Sequence, residues 1–344
     1  MFGQRIFIVT YRNLWLIVLL VTVFLALPFT AFAQEDAHSP AARIQRLIEE
    51  GFNQGTINVV DELFAENYIV HPSEGNREAF KESAIALRGM FPDIHAQADQ
   101  IVSQANWASF HFTLTGTFAN AYVTSQGSLP PTNQFTTIDM NVFLRYDDQG
   151  KVVEEWDYID NYGFLTQIGV IESMSIGYTP TYSTSKGDTL AKRADVLTDT
   201  ADDIALNNKA LVQHIFDDII NMHNLSSTEA IFAPDFTYHG VTGSTSLSAW
   251  KSLLDGMFNA MPDLQITPEI MIAEGNLVSV RYLLRGTFMN PLVTPDGSTV
   301  TPNARYIELP GSMVIRFDES GKVVETHEIF DNLSLLTQLG IFSW

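Results

Sequence analysis

The sequence predicts an α+β protein made of two tandem domains, in each of which helices come first and antiparallel strands follow. A string that begins Gly150-Lys-Val-Val-Glu returns at Gly321, and both copies lead into Leu-Thr-Gln followed by Ile-Gly or Leu-Gly. The offset between equivalent residues drifts only from 168 to 171 over the whole unit. Repeats of roughly 130 residues are far longer than solenoid repeats, so each copy predicts a complete domain.

The helices are predicted at the start of each copy. Ser39 can cap a helix whose first residue is Pro40, a position where proline is well tolerated. A short helix that runs into an extended piece ending on a histidine is predicted for residues 63–71 and again for 231–239. Apolar residues recur at helical spacing in the first helix of both copies: Ile44, Leu47, Ile48 and Phe52, then Val212, Ile215, Phe216 and Ile220.

Strands are predicted where apolar and polar residues alternate. In residues 107–118 the apolar residues share one face and His111 lies on the other, so we expect His111 to be exposed. The equivalent stretch is 277–288, and both stretches end in Gly-Thr-Phe. Further strands are predicted for 135–146, 152–160, 313–317 and 323–331.

The domain boundaries follow from the limits of the repeat. Residues 34–172 are predicted to form the first domain and residues 206–344 the second. Residues 173–205 are rich in Ser, Thr, Asp, Lys and Gly with little periodicity, which is typical of a linker.

The N-terminus has the pattern of a signal peptide over residues 1–33. Arg5 and Arg12 supply positive charge ahead of an apolar run, and an Ala-x-Ala cleavage site ends at Ala33. Cleavage there would deliver the chain to the periplasm, the outer face of the cell membrane or the medium. The alternative is an uncleaved anchor, because residues 14–33 are just long enough to span a bilayer.

Charge and composition exclude several classes of function. The chain has 19 Lys and Arg against 40 Asp and Glu, a formal net charge of −21. Nucleic acids and anionic lipid surfaces bind basic proteins, so neither is expected as a partner. The sequence has no cysteine, which excludes disulfides, thiol catalysis and cysteine-based metal sites. It has no phosphate-binding glycine loop, His-Glu-x-x-His or Gly-x-Ser-x-Gly motif, and we expect neither a metal nor a cofactor.

The order of these motifs resembles the SnoaL-like polyketide cyclases, which belong to the nuclear-transport-factor-2-like superfamily. The resemblance rests on the strand that ends in Gly-Thr-Phe, the Gly-Lys-Val-Val-Glu string, the aspartate after it and the closing Leu-Thr-Gln motif. It covers about residues 41–171 and 207–344. It implies cone-shaped domains in which three helices pack on a strongly curved sheet around a ligand pocket. Because such domains often pair as dimers, it also implies an intramolecular pseudo-dimer.

The resemblance also implies a chemistry. Cyclases of this family need no cofactor, and an aspartate acts as general acid and base in an intramolecular aldol closure. That aspartate falls on Asp160 in the first copy and Asp331 in the second. The chain departs from the family at the histidine of Glu-His-Trp, which is Glu155 in the first copy and Thr326 in the second.

Strand alternation selects the candidate substrate-binding residues. Trp156 and Tyr158 share a face of the last strand with Asp160, and His327 shares the equivalent face with Asp331. We expect this face to be the concave, ligand-facing one. The alternative for both aspartates is that they cap the helix that follows.

His71 and His239 end equivalent strands and are candidates to line the mouth of each pocket. The alternative for these two residues is a structural hydrogen bond.

Two functions are consistent with these patterns. The first is an ester cyclase or isomerase that needs no cofactor and uses Asp160 or Asp331 as acid–base on an apolar, carbonyl-containing small molecule. The second is a non-catalytic protein that binds a small hydrophobic ligand, which the export signal favours.

Overall fold

The two repeats lie in one compact unit, Pro40–Trp344. The predicted signal peptide and the linker up to residue 202 lie outside the residues that the computed structural model describes. The last residues of the predicted linker are helical, because a helix already begins at Asp203. The described residues are 38–124, 127–171, 203–241, 243–294 and 297–342.

In the first domain helices precede the strands along the chain, separate β1 from β2 and follow the last strand. The first helix begins at Pro40, as predicted, and its last turns are π-helical. Asn76 caps the longest helix by accepting a hydrogen bond from the backbone N–H of Ala79 at 3.0 Å. The described helices are α1 (Pro40–Arg46, with π-helical turns at Leu47–Asn53), α2 (Val59–Leu63), α3 (Arg77–Met90) and α4 (Asn161–Gln167).

The described strands of the first domain are β1 (Phe64–His71), β2 (His95–Gln104), β3 (Trp107–Thr117), β4 (Tyr122–Thr124), β5 (Gly127–Leu129), β6 (Phe135–Tyr146) and β7 (Val152–Ile159). Five of them form a sheet in the order β1-β7-β6-β3-β2. The β1–β7 pair is parallel and the other pairs are antiparallel, with β4 and β5 forming a separate hairpin.

The second domain repeats this plan. Its described helices are α5 (Asp203–His214, with π-helical turns at Ile215–Ile220), α6 (Thr228–Ile231), α7 (Leu247–Ala260) and α8 (Asn332–Gln338). Its described strands are β8 (Phe232–Gly240), β9 (Gly243–Ser246), β10 (Gln265–Glu274), β11 (Leu277–Thr287), β12 (Leu292–Val293), β13 (Thr299–Val300), β14 (Tyr306–Phe317) and β15 (Val323–Phe330). The main sheet runs β10-β11-β14-β15-β8-β9, with β15 and β8 parallel.

Each sheet buries both of its faces. One face packs under the helices of its own domain and forms that domain's core, as the alternation of Phe110 and Phe112 predicts. The other face meets the second domain in an apolar cluster that includes Phe143 and Tyr158 from domain one with Val314 and Ile329 from domain two. The predicted α+β architecture of two sheet-and-helix units is therefore confirmed.

The contacts between the domains are reciprocal. Ser109 and Ser279 are equivalent residues, and their hydroxyl oxygens lie 2.7 Å apart. The backbone N–H of Ser103 donates to the Glu274 carboxylate at 2.7 Å, and the backbone N–H of Ala273 donates to the Gln104 side chain at 3.2 Å. Residue 103 is equivalent to 273 and residue 104 to 274. Contacts in which i meets j while j meets i are the pattern of a two-fold interface.

None of the helices in the described residues has both the length and the apolar character that a membrane crossing requires.

Candidate functional site

Alternation along β7 and β15 separates two groups of polar residues. Glu155 and Asp157 lie on the helix-covered face of β7, and Glu328 lies on that face of β15. Trp156 and Tyr158 lie on the opposite face, against the other domain. The expectation that the Trp156 face is the concave one is therefore corrected. The physical reason is that the second domain packs on this face, so Trp156 and Tyr158 contact the other sheet and not the space under the helices.

In domain one, two carboxyl groups and a phenol meet inside the helix-covered space. The Tyr68 hydroxyl donates to Glu155 Oε2 at 2.5 Å, and Asp157 lies two residues further along the same face of β7. Burial, followed by the charge of Asp157, raises the pKa of Glu155 well above its usual value. Burial also raises the pKa of Asp157, and this pair therefore tends to retain a proton. Asp157 as a whole residue is only partly buried, whereas its Oδ1 atom is fully buried.

In domain two, two phenols hold one carboxyl group. The Tyr238 hydroxyl donates to Glu328 Oε2 at 2.5 Å, and the Tyr282 hydroxyl donates to Glu328 Oε1. Gly240 and Gly311 make this arrangement fit, because a Cβ atom at either position would overlap the ring of Tyr238 or Tyr282. Burial raises the pKa of both tyrosines and of the carboxyl group, although the phenol hydrogen bonds oppose it for Glu328.

The two interiors are not copies of each other. Glu155 is replaced by Thr326 in domain two, and Asp157 is replaced by Glu328. The tyrosines also differ, because Tyr68, Tyr238 and Tyr282 have Phe236, Val70 and Phe112 as their respective counterparts.

Aromatic side chains fill much of the space between helices and sheet. In domain one Phe80 contacts Phe52, Phe64 and Tyr68, with ring centroids 5.0–6.3 Å apart. A cavity of about 10 Å³ remains under α1, the size of a single water. Along α7 of domain two an open groove of about 590 Å³ is lined largely by polar residues, including Lys251. The cavity under α1 is therefore too small for an organic ligand, and the groove along α7 is the larger of these two openings.

Asp160 and Asp331 lie at the same place, immediately before the closing helices. Asp331 accepts a hydrogen bond from the backbone N–H of Leu333 at 3.1 Å and so caps α8. Asp160 occupies the cap position of α4 without that hydrogen bond from its side chain. Capping, the alternative role, is thus observed for Asp331. The catalytic role of both residues stays a prediction.

The predicted residues His71 and Trp156 meet at the domain interface, and we call their group the tryptophan corner (His71, Glu154, Trp156 and Arg281). The rings of His71 and Trp156 stack with centroids 4.7 Å apart, and Arg281 of the other domain lies 4.8 Å from the centre of the Trp156 ring. Tyr158 is buried beside Arg281, and burial raises its pKa to about 12.

The equivalent group in domain two is the histidine corner (His239, Glu325, His327 and His111). His239 and His327 stack with centroids 4.3 Å apart, and both are within 3.3 Å of Glu325 Oε1. His111 comes from domain one, and its ring centroid is 5.0 Å from that of His327. Burial lowers the pKa of His327 to about 4. Partial burial acts to raise the pKa of Glu325, but its contacts with His239 and His327 outweigh burial and lower that pKa.

His111 is buried, which corrects the expectation that it is exposed. Its Nδ1 is 3.0 Å from Asn141 Oδ1, and its Nε2 is 3.6 Å from Asp139. Burial lowers its pKa, but the close approach of Asp139 and the charges of Asp99 and Asp139 outweigh burial and raise it to about 9. His111 occupies a polar position on an alternating strand, and this pattern looks the same for an exposed face as for a face buried by a second domain.

The family model for "SnoaL-like polyketide cyclase" matches residues 42–168 and again residues 210–339. The chain belongs to the SnoaL-like polyketide cyclase family. The two matched segments fall on the two sheet-and-helix units, so the family is present as tandem copies. No curated protein matches the chain.

Solved structures that resemble the chain each match about one copy. AclR from Streptomyces galilaeus, a candidate hydroxylase, is 25% identical over 41% of this chain and 89% of its own, with a TM-score of 0.36. A candidate SnoaL-like polyketide cyclase from Jannaschia sp. CCS1 is 19% identical over 42% of this chain and 100% of its own, with a TM-score of 0.38. IdmH from Streptomyces antibioticus, a candidate polyketide cyclase, is 26% identical over 38% of this chain and 99% of its own, with a TM-score of 0.33.

The interior acids were missed by the sequence reasoning, although a signal for them exists. In the structure Glu155 lies opposite Leu144, and Leu144 lies opposite Ala108 of the apolar stripe on β3. Following this stripe across the sheet assigns Glu155 and Asp157 to the helix-covered side. The last strand alone cannot make this assignment, because both of its faces carry acids.

Proposed function

We propose that this protein is an enzyme of the cyclase or isomerase type that moves protons on a small carbonyl compound without a cofactor. The reaction centre is the interior of domain one. The observation that carries the proposal is that Glu155 and Asp157 share the helix-covered face of β7, where the Tyr68 hydroxyl donates to Glu155 Oε2 at 2.5 Å.

A carboxyl pair of this kind suits proton transfer at a carbon next to a carbonyl group. Two close carboxyl groups cannot easily ionise together, so one holds a proton while the other accepts one. In the proposed reaction Asp157, which is the more exposed, removes the proton from carbon, and Glu155 holds the shared proton. Their raised pKa values bring both groups closer to the pH at which a general base works best.

Tyr68 supplies the second requirement, a donor for the oxygen that becomes an enolate. Its hydroxyl already points at Glu155 at 2.5 Å, and rotation toward a bound carbonyl would exchange one acceptor for another. The surrounding phenylalanine rings keep water away, which strengthens that hydrogen bond.

The two domains act in this proposal as an intramolecular pseudo-dimer. The reciprocal Ser103–Glu274 and Gln104–Ala273 hydrogen bonds support it. Small-angle scattering should give the profile of one compact particle, and two independently moving lobes would contradict the pairing. Export is also part of the proposal and rests on the pattern of residues 1–33; mass spectrometry of the exported protein should find Gln34 as its first residue.

The test uses hydrogen exchange, because it needs no knowledge of the final product. A panel of small ketones and β-keto esters is incubated with the full chain in D₂O, and exchange at the carbon beside the carbonyl is followed by NMR. We expect catalysed exchange that Asp157→Asn and Glu155→Gln each reduce by roughly 10²- to 10⁴-fold, the usual contribution of a positioned acid or base. Glu328→Gln is the matched change in domain two and should leave exchange in domain one intact.

Asp160→Asn and Asp331→Asn test the assignment implied by the family. If either abolished exchange while both changes at the interior pair had no effect, the acid–base role would belong to that aspartate instead.

The second candidate is a protein that binds a small hydrophobic ligand without catalysis. The aromatic side chains around Phe80 support it, because a ligand that displaced these rings from one another would meet an apolar surface. Specific binding of a panel member without any exchange would establish this function and reject the enzyme.

A further inference from the structure

His239, Glu325 and His327 bring three ligand atoms to one point of the histidine corner. His239 Nε2 lies 3.1 Å from Glu325 Oε1, and His327 Nε2 lies 3.3 Å from the same oxygen. All three ligand atoms lie within 4.8 Å of one another. Neighbouring ligands of a tetrahedral zinc site with bonds of about 2.0 Å are ~3.3 Å apart. We propose that these three side chains bind a divalent first-row transition-metal ion such as Zn²⁺.

The pairing of strands assembles the site. Glu325 and His327 are two residues apart on β15 and therefore share a face. His239 is the register partner of His327 on the neighbouring parallel strand β8. A helical His-x-x-x-His spacing is not needed, because adjacent strands are only about 4.8 Å apart.

Outer contacts hold two of the ligands in binding orientation. His239 Nδ1 is 2.7 Å from the Ser244 hydroxyl, which leaves Nε2 directed at the corner. Arg316 donates to Glu325 Oε2 from Nε at 2.8 Å, which leaves Oε1 for the ion. Metal-binding histidines and carboxylates usually have such second partners, which fix the tautomer and the orientation.

The ligand set determines the class of ion. Two imidazoles and one carboxylate suit Zn²⁺ and its neighbours, whereas Mg²⁺ and Ca²⁺ prefer all-oxygen sites. The side chains of His239, Glu325 and His327 are 20–32% exposed, so water or a small ligand can occupy a remaining position.

The tryptophan corner provides an internal control for the proposal. His71 and Glu154 repeat His239 and Glu325, with His71 Nε2 at 3.8 Å from Glu154 Oε1. The ring stack also has the same interplanar angle, 16°, in both corners. Trp156 replaces His327, and its ring cannot bind the ion, so the described residues of this corner offer an incomplete ligand set.

The experiment is calorimetric titration of ZnCl₂ into the untagged full chain after dialysis against a chelator. We expect one ion per chain. His327→Trp copies the tryptophan corner, and Glu325→Gln removes the oxygen ligand; each should weaken binding by more than the roughly 10- to 100-fold typical of an outer contact. Ser244→Ala removes such an outer contact and should weaken binding by roughly 10- to 100-fold.

The controls are His71→Ala and His214→Ala, which should bind Zn²⁺ like the wild type. His214 forms an exposed pair with Asp218 and represents adventitious surface binding. Thermal unfolding of each variant tests whether it is folded. If His327→Trp does not fold, the binding affinities of Glu325→Gln and Ser244→Ala test the proposal instead. Unchanged affinity in folded Glu325→Gln, or binding lost in His214→Ala, would overturn the proposal.

A gain-of-function variant completes the test. Trp156→His gives the tryptophan corner the third ligand, and we expect the titration to show a second ion per chain. A visible d–d spectrum with Co²⁺ should double in intensity. The site lies on the opposite face of the sheet from Glu155, so these outcomes do not depend on the proposed reaction.

Discussion

The tryptophan corner and the histidine corner have the same framework and different chemistry. In both corners an arginine of the same domain holds a glutamate, through Arg145 and Glu154 in one and Arg316 and Glu325 in the other. What differs is the ring at the interface and the side chain opposite it. Trp156 meets Arg281 in one corner, and His327 meets His111 in the other.

This difference teaches that duplication inside one chain frees each copy to change. In a dimer of identical chains both corners would carry the same residues. Here Arg281 and His111 are equivalent positions that face different partners, so each partner could adapt separately. A cation over a tryptophan ring is favourable, whereas a cation beside a second imidazole lowers that imidazole's pKa.

The largest expected effect concerns the apolar cluster between the domains. Phe143 is fully buried there, and its equivalent in domain two is Val314. Phe143→Ala should lower the free energy of unfolding by about 3–5 kcal/mol, because it leaves a large cavity. Val314→Ala removes fewer atoms and should cost less than half as much. Urea unfolding of both variants measures the free energies. Equal losses in the two variants would contradict the expectation that the larger side chain contributes more to the cluster.

The next effect concerns pH and the interiors. The raised pKa of Glu155 means that the native state keeps a proton that the unfolded chain has lost. Stability should therefore fall as pH rises above the ordinary glutamate value of about 4.3, by up to ~1.4 kcal/mol per pH unit, and level off above the raised pKa. Glu155→Gln should flatten this dependence. Urea unfolding at several pH values measures this dependence. If the stability of Glu155→Gln fell with pH as steeply as that of the wild type, the retained proton would belong to another group.

A smaller effect is expected at the tryptophan corner. Arg281→Met removes the cation above Trp156 and leaves Glu269, 3.0 Å from the guanidinium, without that partner. The loss of stability should be about 1–2 kcal/mol, in the range of a partly buried cation–π contact. Arg281→Lys keeps the charge but not the planar group and should recover part of the loss. Thermal unfolding compares the stabilities of the two variants. If Arg281→Lys lost as much stability as Arg281→Met, the stabilisation would come from the planar shape of the guanidinium and not from its charge.

The smallest effect should be equal in the two domains. Asp93 and Asp263 are equivalent, and each accepts the backbone N–H and the hydroxyl of a threonine, Thr117 or Thr287. Backbone hydrogen bonds lower the pKa of both carboxyl groups. Both sites are exposed, so Asp93→Asn and Asp263→Asn should each cost at most about 1 kcal/mol. Unequal losses would show that divergence also reaches this part of the fold.

Much of the fold could be predicted from the sequence, because repetition and alternation are local patterns. The helix start at Pro40, the strand 107–118 and the order of elements all follow from spacing that a single segment carries. The repeat of the Gly150 string at Gly321 predicted two domains in the same way. The last strands end one residue earlier than predicted, at Ile159 and Phe330, because the aspartates that follow belong to the helices.

The candidate site could be predicted only in part. The substrate-binding role predicted for His71, Trp156, His239 and His327 stays a prediction. The structure shows that His71 pairs with Trp156, and His239 with His327, at equivalent positions of the two parallel strand pairs. Their face was assigned to the wrong side of the sheet, since alternation gives two faces but not which one the helices cover.

The sequence by itself determined the duplication, the fold class and the equivalence of positions, because these depend on local spacing and on comparison of one copy with the other. The tertiary structure decided what those positions face. Packing of the two sheets against each other buried His111 beside His327 and placed Arg281 on Trp156. The residues of these two pairs are 216 and 125 positions apart in the sequence. The meeting of His239 with Glu325 and His327 depends on the register of two parallel strands, and no spacing along the chain encodes that register.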